Sequence, residues 1–416
     1  MSRPEGRGAP PPPPQPPPAP RQRRAFSSMG GPVDTDGEPT AARALATLFA
    51  VDEARVRALT HGFHSYAGRM HPSMARKALE RWSAAGDAVL DPFCGSGTVL
   101  VEAATLGRAA RGLDASPLAV LIAGVRSTPL GAEGRATLVA TAAEIGEASS
   151  ERARKRRRPE IPAWARRETE RFAPHVALEL LGLRELVMAT PDDDIGRALR
   201  AAFSSLLVKF MRAGPEAPRD GASKRIARGL PSGFFARRVE ELARGLAALE
   251  AAIPPRTPLP RVTAGDARAY PDVRASSVAL IVSSPPYAGT YDYAEHHVAR
   301  FLWLGLPRRR FDDSQLGARE RGLGAAPQAW LEGRRRWLAE MARVLRPGGH
   351  AVLVVGDGIV GDRLEDAAGA IARDARAVHL EPVARASQPR PMRDQRLREM
   401  LGPAPRFEHV LLLRRP

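Results

Sequence analysis

The sequence predicts an α/β protein, a largely parallel sheet covered by helices on both faces and interrupted by a helical insertion. Three observations carry that expectation. Short β-branched or apolar runs alternate with segments of helical apolar spacing, in two sets. A Gly-rich turn, Cys94-Gly95-Ser96-Gly97, joins the first such run to a helix. The run Val278-Ala279-Leu280-Ile281-Val282 is apolar without alternation, as a strand buried on both faces must be.

Taken in order, the first 40 residues read as a tail. Their proline-dominated run through Pro20, followed by Arg21, Arg23 and Arg24, has no apolar periodicity to fold around and suits polyproline II or disorder. The α/β domain then opens at 41–125. Helical spacing covers Thr40–Leu59 and Pro72–Trp82, with the irregular HGFHSYAGRM (61–70) between them. Ala88–Leu90 predicts a strand, Thr98–Leu106 a helix, Ala109–Leu113 a strand and Leu118–Val125 the start of a helix. Residues 126–260 form the insertion, with amphipathic patterns at Val176–Thr190, Ile195–Met211 and Phe235–Ala252. The sheet resumes over 261–416, with strands expected at Arg261–Ala264, Val278–Val282, His350–Val355, Val378–Val383 and Glu408–Leu413.

Composition narrows the function classes. A formal net charge of +17 and a pI near 11.1 suit a polyanionic partner, most simply nucleic acid, although a genome rich in Arg, Ala, Gly and Pro codons produces the same excess. The single cysteine, Cys94, excludes an intramolecular disulfide and a cysteine zinc cluster. With no apolar run near the roughly 18 residues of a membrane span, the chain reads as soluble and cytoplasmic.

The chemistry concentrates at strand ends. In Leu90-Asp91-Pro92-Phe93-Cys94-Gly95-Ser96-Gly97-Thr98, two glycines between strand and helix let backbone approach a ligand, and the helix start adds free amides and a positive dipole end. Asp114 closes the next strand, where a carboxylate can accept hydrogen bonds from ribose hydroxyls, and Asp266 closes a third, where it can meet an adenine amino group. Three acidic strand tips beside one Gly-rich turn describe a pocket for an adenosine-containing ligand. The turn lacks the Gly-Lys-Ser/Thr element of a phosphate loop and the third glycine of a dinucleotide fingerprint.

A second strand end is stranger. The buried run 278–282 stops in Ser283-Ser284-Pro285-Pro286-Tyr287, with Tyr291 and Tyr293 close behind. Neither proline donates to a ladder, and together they stiffen the exit into an elbow of defined shape.

The two motifs together resemble the signature pair of S-adenosylmethionine-dependent methyltransferases that modify exocyclic amino groups in nucleic acids. DPFCGSGT (91–98) is similar to their cofactor motif D-P-F-x-G-S-G-T, and SPPY (284–287) to their catalytic [DNS]-P-P-[YF] motif. HGFHSYAGRMHP resembles the upstream segment that touches the methionine part of the cofactor, and Leu345–Gly349 the usual turn before the fifth strand. The resemblance implies a Rossmann-like class I methyltransferase fold with a mostly parallel seven-stranded sheet. It implies S-adenosylmethionine as cofactor, held by Tyr66, Asp91, Phe93, Gly95, Gly97, Thr98, Asp114 and Asp266, and catalysis by Ser284, Pro285, Pro286 and Tyr287. DNA is the implied partner, with RNA as the alternative; the competing functions are a tRNA guanine-N2 methyltransferase and a catalytically inactive nucleic-acid-binding protein with the same fold. Serine at the head of the catalytic motif resembles the cytosine-N4 group rather than the adenine-N6 group. Against the common layout, only the 17 residues 267–283 separate Asp266 from Ser284, and the long insertion comes earlier.

Other signals are weaker. His296 and His297 lack a carboxylate or cysteine at ligand spacing and read as helix surface or nucleic-acid contacts, with no metal expected. The basic run Arg152–Arg158 suits a solvated linker or a phosphate-contacting strip. Trp164 and Phe172, beside Arg166 and Arg167, suit the core of the insertion ahead of base stacking, and the tyrosines after Tyr287 suit base contact or packing.

Overall fold

The computed structural model describes residues 31–155, 159–217, 226–318, 324–390 and 405–416. Ten strands run β1 Asp34–Gly37, β2 Ala88–Asp91, β3 Ala109–Asp114, β4 Arg261–Ala264, β5 Val278–Ser283, β6 Leu345–Gly356, β7 Gly358–Val360, β8 Arg363–Glu365, β9 Glu381–Arg390 and β10 Arg406–Arg414. The helices are α1 Pro39–Ala46, α2 Pro72–Trp82, α3 Thr98–Thr105, α4 Pro117–Ser127, α5 Ala132–Arg154, α6 Ala165–Thr169, α7 Pro174–Met188, α8 Asp194–Phe210, α9 Leu230–Ala252, α10 Tyr293–His296, α11 Val298–Leu304, α12 Arg309–Ser314, α13 Pro327–Val344 and α14 Ala367–Arg376.

Eight strands make one sheet in the order β1-β9-β10-β6-β5-β2-β3-β4, and β7 and β8 form a separate hairpin. The pairs β2–β3, β2–β5, β3–β4 and β5–β6 are parallel; β10 pairs antiparallel with both β6 and β9. This is the α/β, Rossmann-like arrangement that the alternating pattern predicts, with seven strands in the core order and β1 as an added edge. Five parallel strands therefore end on one rim, and the acidic and proline-bearing tips all lie there.

The apolar run of β5 is explained by its central place. All six of its residues are buried. Leu280 and Val282 pack with Leu45, Met74, Leu79 and Leu100 from α1, α2 and α3 on one face. Ile281 packs with Trp337, Leu338, Met341 and Ile371 from α13 and α14 on the other. Period-two alternation thus serves two cores, and neither face leaves room for a polar side chain.

The insertion has a third core. Leu138 and Ile145 of α5, Leu180 and Leu183 of α7, Phe203 and Leu207 of α8, and Phe235 and Leu242 of α9 are buried together with Leu118 and Ile122 of α4 and Phe301 and Trp303 of α11. Trp303 is fully buried, with Trp164 at 5.6 Å and Phe172 at 5.4 Å, both in edge-on contact. Trp164 and Phe172 are core residues of the insertion.

Several expected boundaries move. The tail does not reach residue 40: Asp34–Gly37 adds antiparallel to β9, in the register Asp34↔Ser387 to Gly37↔Ala384. All four residues are exposed, held by the backbone ladder and an Asp36–Arg385 ion pair at 3.5 Å, and a polar edge strand leaves no apolar signature to read. Residues 1–30, including the proline run, lie outside the described residues, as do Arg156–Arg158 of the basic run. The helix expected from Thr40 stops at Ala46 and gives way to single 3-10 turns at Thr47–Phe49 and Glu53–Arg57. The strand expected at Val378–Val383 begins at Glu381 and runs to Arg390, because the polar residues Ser387, Gln388 and Arg390 find buried partners on β10 and beside it.

Candidate active site

The turn after β2 depends on its glycines. Gly95 and Gly97 have φ of +50° and +80°, a region side chains with a Cβ rarely enter. A Cβ on Gly97 would also lie 3.0 Å from the Ala123 Cα, so this glycine lets α3 start against α4. Beyond the turn stand two carboxylates. Asp91 accepts the Ser283 hydroxyl at 2.6 Å and the Phe93 amide at 3.2 Å. Asp114 accepts the Gly95 amide at 2.9 Å and the Ser116 amide at 2.8 Å. Burial pushes the Asp91 carboxyl up to about 7 against the pull of those two donors, and the nearby Asp114 charge adds to the rise. Burial likewise lifts Asp114 to about 6. Among the described residues neither carboxylate pairs with a cation.

These tips open onto one cleft, lined by Tyr66, Asp91, Phe93, Gly95, Thr98, Asp114, Asp266, Ser284, Pro286 and Tyr293, among others. The structure thus brings together residues from five segments that the sequence keeps far apart. Three expected site residues stand outside the lining. Gly97 faces α4, Pro285 is buried behind the elbow, and Tyr287 turns away. The Tyr287 ring lies against Gly356, and its hydroxyl donates to Glu408 at 3.2 Å. Asp266 reaches the cleft with its carboxylate already engaged: Arg268 donates Nε to both oxygens at 2.9 Å and Nη2 to one at 2.5 Å. Burial alone would raise Asp266, yet these bonds hold it below the usual carboxylate range.

An aromatic wall closes one side. Tyr66 stacks on Tyr293 with ring centres 6.4 Å apart and planes at 16°, and it packs on His297 at 4.9 Å. A Cβ on Gly95 would meet the Tyr66 ring at 3.5 Å, so the ring lies directly over the turn.

Behind this wall lie residues the sequence reading missed. Arg126, fully buried, donates to the Thr60 carbonyl at 3.0 Å and the Ser96 hydroxyl at 2.7 Å, and its Nη2 meets His61 Nδ1 at 2.9 Å. His61 in turn meets Glu102 at 2.9 Å. Arg300, also fully buried, holds the Ser65 carbonyl at 3.0 Å and sits 2.9 Å from the Glu216 carboxylate. No pattern in a single sequence marks these, because an isolated arginine in an apolar helix reads as surface.

His297 corrects an expectation. It is fully buried rather than on a helix surface, and its Nδ1 lies 3.1 Å from Glu216, a carboxylate 81 residues away that no local spacing reveals. His296, His297 and Glu216 bring ligand-type atoms within 4.8 Å of one another. The Arg300 guanidinium on the same Glu216 oxygen supplies the counter-charge, and burial depresses His297 to about 4 despite Glu216.

Residues 52–123, which include the turn, Asp91 and Asp114, match the family model described as DNA methylase. A stretch of 66 residues is 42% identical to the type II methyltransferase M.MjaII of Methanocaldococcus jannaschii, covering 16% of this chain and 12% of that protein. A stretch of 75 residues is 35% identical to the type II methyltransferase M.MvaI of Kocuria varians, covering 17% of this chain and 16% of that protein. The chain therefore matches less than a fifth of the length of either curated relative. Among solved structures, a SAM-dependent methyltransferase from Methanosarcina mazei aligns at 9% identity and a TM-score of 0.32, over 81% of this chain and 96% of that one. The rRNA methyltransferase aviRa from Streptomyces viridochromogenes aligns at 11% identity and 0.35, over 88% and 94%.

Proposed function

We propose that this protein transfers a methyl group from S-adenosylmethionine to an exocyclic amino group of a base in DNA, cytosine N4 ahead of adenine N6. The observation that carries the reading is that Ser284, at the tip of β5, and the carboxylates of Asp91 and Asp114, at the tips of β2 and β3, face one cleft. The fit to the cofactor is chemical. A buried carboxylate, Asp91, and a half-buried one, Asp114, without a cationic partner among the described residues, suit a ligand that brings positive charge and hydroxyl donors, and Phe93 offers an apolar face beside them.

When bound, S-adenosylmethionine supplies an electrophilic methyl group. The protein must make a poor nucleophile attack it, because the lone pair of an aromatic amino group is delocalised into the ring. In this reading Ser284 Oγ accepts one N–H group and the Pro285 carbonyl of the elbow the other, drawing the nitrogen towards tetrahedral geometry. The consecutive prolines fix that carbonyl before substrate arrives, so little ordering cost falls on the binding step. Methyl transfer then leaves a cationic nitrogen that loses its proton without a strong base. A base in duplex DNA reaches the cleft by leaving the stack, and the aromatic wall of Tyr66 and Tyr293 offers a surface near its path. The helical insertion, with its basic segment near Arg152–Lys155, supplies the surface for recognising the flanking duplex.

Incubation with labelled S-adenosylmethionine and either genomic DNA or total tRNA, followed by mass spectrometry of nucleosides, tests the reading. N4-methylcytosine in DNA is expected. N6-methyladenine would correct the base, and label confined to tRNA would overturn the DNA assignment.

A further inference from the structure

Tyr287 follows the two prolines of the elbow, yet nothing so far explains why its ring points where it does. Two contacts fix it. The ring lies so close to Gly356 that a Cβ there would come within 2.5 Å of a ring carbon. The hydroxyl donates to Glu408 Oε1 at 3.2 Å. Gly356 and Glu408 are directly opposed residues of β6 and β10, so one cross-strand pair makes the whole notch, an open place for the ring and an acceptor for its hydroxyl.

Glu408 is fixed in turn. Its Oε2 accepts Arg390 Nη2 at 2.5 Å, and Arg390 Nη1 donates to Gln388 Oε1 at 2.7 Å. Gln388 is the residue opposite Glu408 on β9. Glu408 is 5% exposed and Arg390 4%. A buried ion pair is poor evidence of stabilisation, because desolvating two charges offsets most of their attraction and apolar residues of similar volume do as well. The pair does something an apolar filling cannot: it offers an oriented acceptor to a phenol.

We infer that Glu408, held by Arg390, is a positioning residue that sets the Tyr287 ring beside the Ser284-Pro285-Pro286 tip. This rests on the methyltransferase reading for its consequence, though not for its geometry. The ring is anchored at its edge and at its oxygen, so its plane is defined before any base arrives. The ring then backs the Ser284-Pro285-Pro286 tip from outside the cleft, so the acceptors on that tip stand in place before a base leaves the duplex, and that alignment belongs to the transition state rather than to cofactor binding.

Two measurements test it together. The chain has five tyrosines, so 3-fluorotyrosine labelling gives five fluorine resonances, and Tyr287→Phe assigns one of them. Glu408→Ala is expected to shift or broaden that resonance and leave those of tyrosines remote from β10 unmoved; an unchanged Tyr287 resonance overturns the inference. In methyl transfer, Glu408→Ala is expected to lower kcat by roughly ten- to a hundredfold, with the dissociation constant for S-adenosylmethionine unaltered. In the Tyr287→Phe background the same substitution should cost nothing further. Glu408→Gln, whose carbonyl can face Arg390 while its amide donates to the Tyr287 oxygen, should recover most of the rate. Equal losses in both backgrounds, or no recovery with glutamine, would make Glu408 a structural residue only. Should the unaltered protein methylate neither DNA nor tRNA, the proposed function falls, and the fluorine spectrum still decides the positioning.

Discussion

Replacing Asp91 by asparagine should make the protein more stable and less able to bind its cofactor. The carboxyl lies 4% exposed at the tip of β2, with only the Ser283 hydroxyl and the Phe93 amide as donors. Its pKa rises from an ordinary 3.8 to about 7 in the fold. A raised carboxyl pKa means that the native state holds the proton more tightly than the unfolded chain, so this group's contribution declines as pH climbs through the window between those two values and is fully lost above about 7. A shift of that size corresponds to about 4 kcal/mol, at ~1.4 kcal/mol per unit. Part of it is shared with the neighbouring Asp114 charge, so 4 is a ceiling. Asparagine keeps the shape and can accept from Ser283 and Phe93, while removing the charge. Denaturant unfolding of the ligand-free protein should therefore give similar stabilities for both proteins near pH 4 and an advantage for Asp91→Asn that grows to about 2–4 kcal/mol by pH 8. Calorimetry at pH 8 should show weakened binding of S-adenosylmethionine. A variant equally destabilised at pH 5 and pH 8 would refute the reasoning, since it would mean that the ionised carboxylate is satisfied in the fold.

The same carboxylates give the unaltered protein a pH-dependent affinity: binding of S-adenosylmethionine should strengthen from pH 5 to 7 as Asp114 and Asp91 ionise, and level off above pH 8, and a flat profile by calorimetry would contradict their role. Ser284→Ala should reduce methyl transfer by about a hundredfold or more with little change in cofactor affinity; loss of cofactor binding would misplace the elbow. Gly97→Ala should cost about 1–3 kcal/mol in thermal unfolding, from its left-handed φ and the close Ala123 backbone. Glu216→Leu leaves fully buried Arg300 without its counter-charge and should cost about 3–5 kcal/mol in chemical denaturation, whereas a near-neutral result would show that water reaches Arg300.

What the sequence made legible was local. The turn from Asp91 to Thr98 could be found because its glycines sit between a strand and a helix whose periods both read clearly. The burial of β5 was visible because five consecutive apolar residues have no solvent-facing member. What stayed hidden depends on register or on distant partners. Gly356 and Glu408 become one notch only when β6 and β10 pair, and Glu216 reaches His297 across 81 residues. Tyr287 was expected among the catalytic residues, and its contact with Gly356 shows that the letters of a motif do not give a side chain's direction. β1 was missed for the opposite reason: a fully exposed edge strand shows no apolar pattern.

Two buried arginines tie the helical insertion to the segment that lies over the Gly-rich turn. Arg126, near the end of α4, binds the backbone at Thr60, and Arg300, on α11, binds it at Ser65. Between those anchors runs the irregular segment that ends in Tyr66, the ring lying over Gly95. A segment without secondary structure has few ways to be rigid, because its carbonyls lack ladder partners. Guanidinium groups, each with several donors in a fixed plane, substitute for the missing ladder. Arg300 is charge-balanced by Glu216, which follows α8 of the insertion, and His64 touches Ser204 of α8 at 3.1 Å. Any movement of α8 against α11 therefore strains the bonds that hold Tyr66 over the turn. The insertion and the cleft thus share one buried polar seam.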